Sequence, residues 1–200
     1  MTDLLAFLER LPPGPLYGLI TALAAVENIF PPVPADTAVA LGAFLAGRGT
    51  LNPWAVFGAT WGANVLSATA VYALARRYGR EFFQGRVGQK LLSPRTLERI
   101  EHEYARHGLY GIFLSRLLPV WRGVVPAFAG IAGVTAPRAV IPLALASGLY
   151  YGLLVFFVST LGANFDDVLR AMRRVNAVLA VIAAVPLILV GVWVLRRLKR

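Results

Sequence analysis

Three stretches without any Asp, Glu, Lys or Arg, namely Gly49–Ala75, Ala139–Phe165 and Ala177–Leu195, limit the folds open to this chain. A helix rises about 1.5 Å per residue, so about 20 apolar residues cross a hydrocarbon core of roughly 30 Å. Each stretch meets that length. At least three membrane-spanning helices follow, in an all-α polytopic protein. Overall composition agrees: 58% of the 200 residues are hydrophobic and 15% are charged, against about a quarter charged in soluble domains.

The formal charge of +10 raises the question of nucleic acid. Placement answers it. One cluster from Arg76 to Arg106 and a second at Arg196, Arg197, Lys199 and Arg200 each directly follow an apolar stretch. That is the positive-inside pattern, with anionic lipid headgroups as partners and no nucleic acid. It makes loop 76–107 and the C-terminus cytoplasmic at a plasma membrane. The first residues do not read as a secretory signal, because Asp3 and Glu9 stand where basic residues belong. Residues 1–13 read instead as a surface segment.

Between the spans the apolar pattern is broken twice. Glu27-Asn28-Ile29-Phe30-Pro31-Pro32-Val33-Pro34-Ala35-Asp36 cannot be continuous helix, since each proline removes an amide donor and clashes with the preceding turn. The second break holds Arg116, Pro119, Arg122 and Pro126, and the pattern ends near Gly130 and Gly133. With both basic clusters cytoplasmic, segment 108–136 must enter and leave on the inner face, and segment 28–50 on the outer face. Pro32, Pro34, Pro119, Pro126 and Gly130 are therefore expected to break helices inside the membrane. Phe165–Arg174 reads as an interfacial amphipathic turn, and 177–195 as the last crossing, with Pro186 a tolerable kink.

Two windows repeat. Ala43-Phe44, Gly49, Pro53 and Ala55-Val56 recur 84 residues later as Ala127-Phe128, Gly133, Pro137 and Ala139-Val140. Repeat one is 14–75 and repeat two 108–165, each a broken re-entrant hairpin followed by a long helix. Entry from opposite faces makes them an inverted repeat, an architecture that puts a substrate site near the midplane.

Glu27, Asp36, Arg116 and Arg122 are the ionisable groups around these breaks. Each costs about 2.5–3.5 kcal/mol at the bilayer centre, so four unpaired would cost on the order of 10 kcal/mol. They must pair or line a wet cavity. A purely structural clamp is the plainer reading, but a clamp does not require breaking both elements. Freed backbone groups are tolerated at membrane depth only against protein or water. Arginine offers a planar fork suited to phosphate. Burial favours the neutral form of a carboxyl group, so such an acid can take up and release a proton. The set fits phosphate binding by Arg116 and Arg122, with Glu27 and Asp36 pairing with them or carrying protons.

These two signatures, Glu27 to Asp36 and Arg116-Leu117-Leu118-Pro119-Val120-Trp121-Arg122 continuing through Pro126 to Ala129-Gly130, resemble those of the DedA family of bacterial inner-membrane proteins. The family shares the VTT (SNARE-associated) domain with eukaryotic scramblases, and the likeness runs from about Tyr17 to Val194. It implies a flippase or scramblase for phospholipid or undecaprenyl phosphate, coupled to protons in some members. It also implies that the acidic pair and the arginine pair are the functional residues. The spacing from Glu27 to Asp36 is that of only part of the family, which makes Glu27 the weaker equivalence.

Other classes have less behind them. A proton-coupled exchanger of small ions or cationic compounds would use the same acids. An intramembrane lipid phosphatase needs a nucleophile or a general acid/base. The chain has no cysteine, His102 and His107 lie in the charged loop, and Ser115 has no evident base. A non-catalytic assembly factor gives no reason for the breaks. No enzyme activity, cofactor or metal site is expected. A homo-oligomer is compatible with the sequence, which does not fix the number of copies. Trp54 and Trp121 read as interfacial anchors, and Gly148, Gly152 and Gly162 as close-packing positions. Ser67 and Thr69 offer a polar lining, although hydroxyls bonded to their own helix are commoner.

Overall fold

A computed structural model describes residues 11–30, 35–84, 110–117, 122–161 and 165–178. Every regular element among them is a helix. In chain order these are α1 (Pro13–Val26), α2 (Ala35–Gly47), α3 (Pro53–Gln84), α4 (110–117), α5 (Val125–Ile131), α6 (Ala136–Leu161) and α7 (165–178). Pro32, Pro34, Pro119, Trp121, Gly162 and most of the expected crossing 177–195 lie outside the described residues, as do both histidines.

α1 and α2 hold 14 and 13 residues, so each is about 20 Å long, short of a full crossing. Pro13 starts α1, where a missing amide costs nothing. The helix ends in a tight turn in which Ile29 and Phe30 both donate to the Val26 carbonyl. α2 is built from small residues and is buried from Val39 to Ala46 except at Leu41. A β-carbon on Gly42 would strike Ile20 of α1, and one on Gly47 would strike the Ser159 carbonyl of α6.

α3 and α6 are the long helices. The Asn52 side chain caps α3, accepting from the amides of Trp54 (2.9 Å) and Ala55 (3.1 Å). α3 runs to Gln84, so residues 76–84, expected in the basic loop, are helical. Arg76 helps to hold them: Nη1 donates to the Val134 carbonyl at 2.5 Å and to the Tyr72 hydroxyl at 2.6 Å. Only α6 among the described residues is both long and apolar enough to cross a membrane by composition. α3 falls short because polar residues interrupt its inner face, as set out below.

The two helices run antiparallel. Val56 near the start of α3 joins Tyr151, Val155 and Val158 of α6 in one apolar core. Tyr72 near the other end joins Ala139 and Leu143 in a second. The buried stripe of α3 is Val56, Thr60, Asn64, Ala68 and Tyr72, one residue every four. It is apolar at its ends and polar in the middle.

The repeated sequence window is also a repeated backbone turn. Gly49 and Gly133 both adopt positive φ, 83° and 68°. Gly49 N–H donates to Ala46 and Thr50 N–H to Leu45; 84 residues on, Gly133 donates to Gly130 and Val134 to Ala129. Each turn closes a short helix with a left-handed residue that glycine adopts freely and delivers the chain to a long one. Packing is exchanged between the halves. α2 lies against α6, while α5 lies against α3.

Residues 165–174, read from sequence as an interfacial turn, belong to α7. Phe165 and Val168 are buried against the α2 core, with the Phe165 ring 5.3 Å from that of Phe44. Trp54 is exposed near the start of α3.

Candidate functional site

The polar middle of α3 faces the ends of both broken elements. α1 carries buried Leu16, Ile20 and Ala24 at intervals of four, and the next position on that face is Asn28, beside Glu27. α4 delivers Arg116, and the turn before α5 delivers Arg122. α6 contributes Ser147 and Tyr151 from the middle of its buried stripe. Asp36 enters from the first turn of α2.

The structure brings Glu27, Asp36, Arg116 and Arg122 into one cluster between the two apolar cores. Glu27, Arg116 and Arg122 are only 4%, 3% and 8% exposed. One-to-one pairing of acids and arginines, the simplest reading of the sequence, is not what forms. Both acids take Arg122. Its Nε donates to Glu27 Oε1 at 2.5 Å, and its Nη2 pairs with the same oxygen and with Asp36 Oδ1 at 2.5 Å. The Tyr150 ring lies 4.7 Å from the guanidinium carbon, a cation–π contact. Nη1 of Arg122 is buried and makes no hydrogen bond among the described residues. Asp36 Oδ1 is within ion-pair distance of Nη2 but lacks hydrogen-bond geometry.

Arg116 has no ion pair among the described residues, yet every nitrogen of its guanidinium is used. Nε donates to Ser147 Oγ at 2.8 Å. Nη1 donates to the Arg122 carbonyl at 2.8 Å and to Asn28 Oδ1 at 3.3 Å. Nη2 donates to Asn64 Oδ1 at 2.5 Å and to Asn28 Oδ1 at 3.3 Å. The four formal charges sum to zero although one member, Arg116, pairs with no acid among the described residues.

Asn64 is the hub. Its Oδ1 also accepts from Ser147 Oγ at 3.1 Å, and its Nδ2 donates to the Ala24 carbonyl (3.2 Å) and the Tyr151 hydroxyl (3.1 Å). Tyr151 in turn donates to Glu27 Oε2 at 2.8 Å. Asn28 Nδ2 donates to the Asn64 carbonyl at 3.1 Å and to Ser67 Oγ at 2.8 Å. Two of the acceptors are carbonyls beside helix ends, Ala24 and Arg122, which side chains satisfy as burial demands.

Pro126 stands in the first turn of α5 and so begins a helix after the break. Gly130 breaks nothing: it lies inside α5, where a β-carbon would strike the Tyr72 carbonyl and the Arg76 amide of α3. Ser67 joins the cluster, whereas Thr69 bonds back to the Val65 carbonyl at 2.7 Å and Ser115 to the Gly111 carbonyl at 2.5 Å. Gly148 lets α6 approach Trp61 of α3, whereas a β-carbon on Gly152 would meet Phe57 at an ordinary contact distance. Among the described residues no group of three or more His, Cys, Asp or Glu is placed to hold a metal ion.

Asn64, Ser147, Tyr150 and Tyr151 are missing from the sequence-based set. Their signal was the stripe itself. An asparagine at the centre of a buried i, i+4 row in an otherwise apolar span needs a polar partner.

Comparison with known proteins gives the lineage. The family model of the VTT domain matches residues 33–160, a range that holds Asp36, Arg116 and Arg122 but starts after Glu27. An alkaline phosphatase-like protein of Lactococcus lactis is 27% identical over 175 residues, 85% of this chain and 82% of that protein. An uncharacterized membrane protein of Mycobacterium tuberculosis is 28% identical over 140 residues, 68% of this chain and 64% of its own. Undecaprenyl phosphate transporter A of Bacillus subtilis is 24% identical over 136 residues, 68% of this chain and 69% of its own. No solved structure matches. With the family model covering more than half of the chain, this protein belongs to the DedA family of integral membrane proteins built on the VTT domain.

Proposed function

We propose that this protein is a flippase or scramblase that moves a phosphate-bearing lipid, undecaprenyl phosphate or a phospholipid, across the bacterial plasma membrane, with Glu27 and Asp36 carrying protons. The observation behind this reading is the state of Arg122. It is buried, held by two carboxylates, and keeps one donor, Nη1, without a hydrogen bond among the described residues. A phosphate matches the arginine fork and can replace the acids once they are protonated, so the pocket stays near neutral throughout. Arg116, fully engaged by uncharged groups, holds the positive field and the Arg122 backbone in place. The transporter relative from Bacillus subtilis supports the substrate class.

In the proposed topology loop 76–107 and the C-terminus are cytoplasmic, hairpins 28–50 and 108–136 dip from opposite faces, and 177–195 makes the last crossing. Repeats 14–75 and 108–165 are inverted. Short α1, α2, α4 and α5, the matching glycine turns and the antiparallel long helices support this arrangement. An exchanger of cations fits less well, because Arg122 occupies both carboxylates. Hydrolysis fits less well too: Ser147, the hydroxyl on Arg116, donates to an amide oxygen and has no base beside it.

The test is headgroup accessibility of labelled undecaprenyl phosphate or phospholipid in proteoliposomes, for wild type, Arg116→Ala and Arg122→Ala. Transport by wild type alone, with folded variants, supports the reading. Three preparations that all behave like empty vesicles overturn it.

A further inference from the structure

The chain of a lipid whose phosphate reaches Arg122 must leave the cluster through apolar surface. α6 and α7 supply it. Both helices line a cavity of about 710 Å³. That volume is within the ~300–1,000 Å³ range of ligand pockets. Its α6 wall is Leu149, Leu153 and Phe157, a row at intervals of four whose side chains are about half exposed. From Leu149 to Phe157 the row climbs about 12 Å. On α7 the wall is Val168, Ala171 and Val175, with the small Ala171 between two larger residues.

One end of this groove is continuous with the charge cluster. Tyr150, whose ring lies on the Arg122 guanidinium, lines the groove, as does Leu117, the residue after Arg116. A second groove of about 440 Å³, between Trp54 and Phe156, has no such link to the arginines.

The geometry points to the α6–α7 groove as the seat of the long aliphatic chain of a monophosphate lipid, with Tyr150 at the junction of chain and phosphate. This rests on the phosphate reading of Arg122 and adds to it the part of the protein that grips the chain. Phosphate alone fixes charge, so a chain seat in line with it makes the site select lipid phosphate over inorganic phosphate. Tyr150 serves both, with its ring face against the cation and the residue itself lining the groove.

The test uses a polyprenyl monophosphate with a diazirine in its chain, in nanodiscs, beside the same chain ending in an alcohol. Photolysis is expected to label peptides containing Leu153 and Ala171 at least fivefold more with the phosphate than with the alcohol. That excess should vanish in Arg122→Ala. Ala171→Trp, which fills the groove and leaves the cluster untouched, should remove the label and slow lipid movement at least tenfold. Equal labelling of the groove and of outward positions such as Leu66 and Leu145 means surrounding lipid only and overturns the proposal. If Arg122→Ala abolishes movement while Ala171→Trp moves lipid normally, the phosphate reading stands and the chain seat falls. If folded Arg122→Ala moves lipid like wild type, the phosphate reading falls and takes the seat with it. Should Arg122→Ala fail to fold, the phosphate–alcohol contrast on wild type decides.

Discussion

Arg116 holds Arg122 by its backbone: Nη1 of Arg116 donates to the Arg122 carbonyl oxygen at 2.8 Å. In a continuous helix that carbonyl would accept from the amide four residues on, which is Pro126 and has no N–H. The break thus creates an acceptor, and the first arginine fills it. The two arginines therefore have separate duties, one fixing the chain and the other presenting a fork.

Lysine substitutions should separate those duties. Arg116→Lys keeps the charge but cannot span Ser147, Asn28, Asn64 and the Arg122 carbonyl with one ammonium. Buried groups left unpaired cost about 1–3 kcal/mol each, so we expect a loss of several kcal/mol and a lower melting temperature in detergent. Arg122→Lys retains an ion pair with Glu27 and Asp36, so it should fold while transport drops more than tenfold. Equal melting temperatures for the two variants would count against the division.

Tyr151→Phe removes the one hydroxyl that joins Asn64 to Glu27. A hydrogen bond to a charged acceptor is worth roughly 1.5–3 kcal/mol. The variant should lose about that much stability by chemical denaturation. Tyr150→Phe keeps the ring over Arg122 and should cost under 1 kcal/mol, since the cation–π contact needs only the aromatic face. A reversal of that order would mean that Tyr151 is not the link.

Much of this site could be read from the chain before any coordinates. Four charges in apolar surroundings had to meet, because burying them separately costs too much, and Glu27, Asp36, Arg116 and Arg122 do meet. The matching turns at Gly49 and Gly133 were legible because glycine takes their positive φ freely. The two-to-one division of the acids was not legible, since charge balance is satisfied by any pairing. Asn64 and Ser147 were hidden for another reason. The stripe shows that a buried polar residue needs a partner, but nothing nearby in sequence names it, and for Ser147 it lies 83 positions away. The extension of α3 to Gln84 was hidden by its arginines, which interrupt the apolar pattern without ending the helix.

The acids should differ. Glu27 accepts from both Arg122 and Tyr151 and is the more buried, whereas Asp36 pairs with Arg122 and is more open. Breaking a buried pair costs about 3–5 kcal/mol, so Glu27→Gln should approach that range and Asp36→Asn should lose less. If Asp36 carries the proton in the cycle, Asp36→Asn should also flatten the dependence of lipid movement on pH. A wild-type slope in the folded variant assigns the proton elsewhere.

Glycine meets backbone between the halves at Gly47 and at Gly130, and Gly130 gives a sharp stability test. A β-carbon on Gly130 would sit 2.8 Å from the Arg76 amide nitrogen and closer still to the Tyr72 carbonyl, neither of which can turn aside as a side chain would. Gly130→Ala should gain up to about 1 kcal/mol of helix propensity but lose more to overpacking, typically 1–3 kcal/mol. It also pushes α5 away from α3 and with it the turn that carries Arg122. Gly58 lies in α3 with open space around its missing β-carbon. Gly58→Ala should therefore raise the melting temperature by the propensity gain alone. A folded Gly130→Ala protein that melts like wild type would mean that α5 has room to move on α3, and the exchange of helices between the halves would no longer fix the position of Arg122.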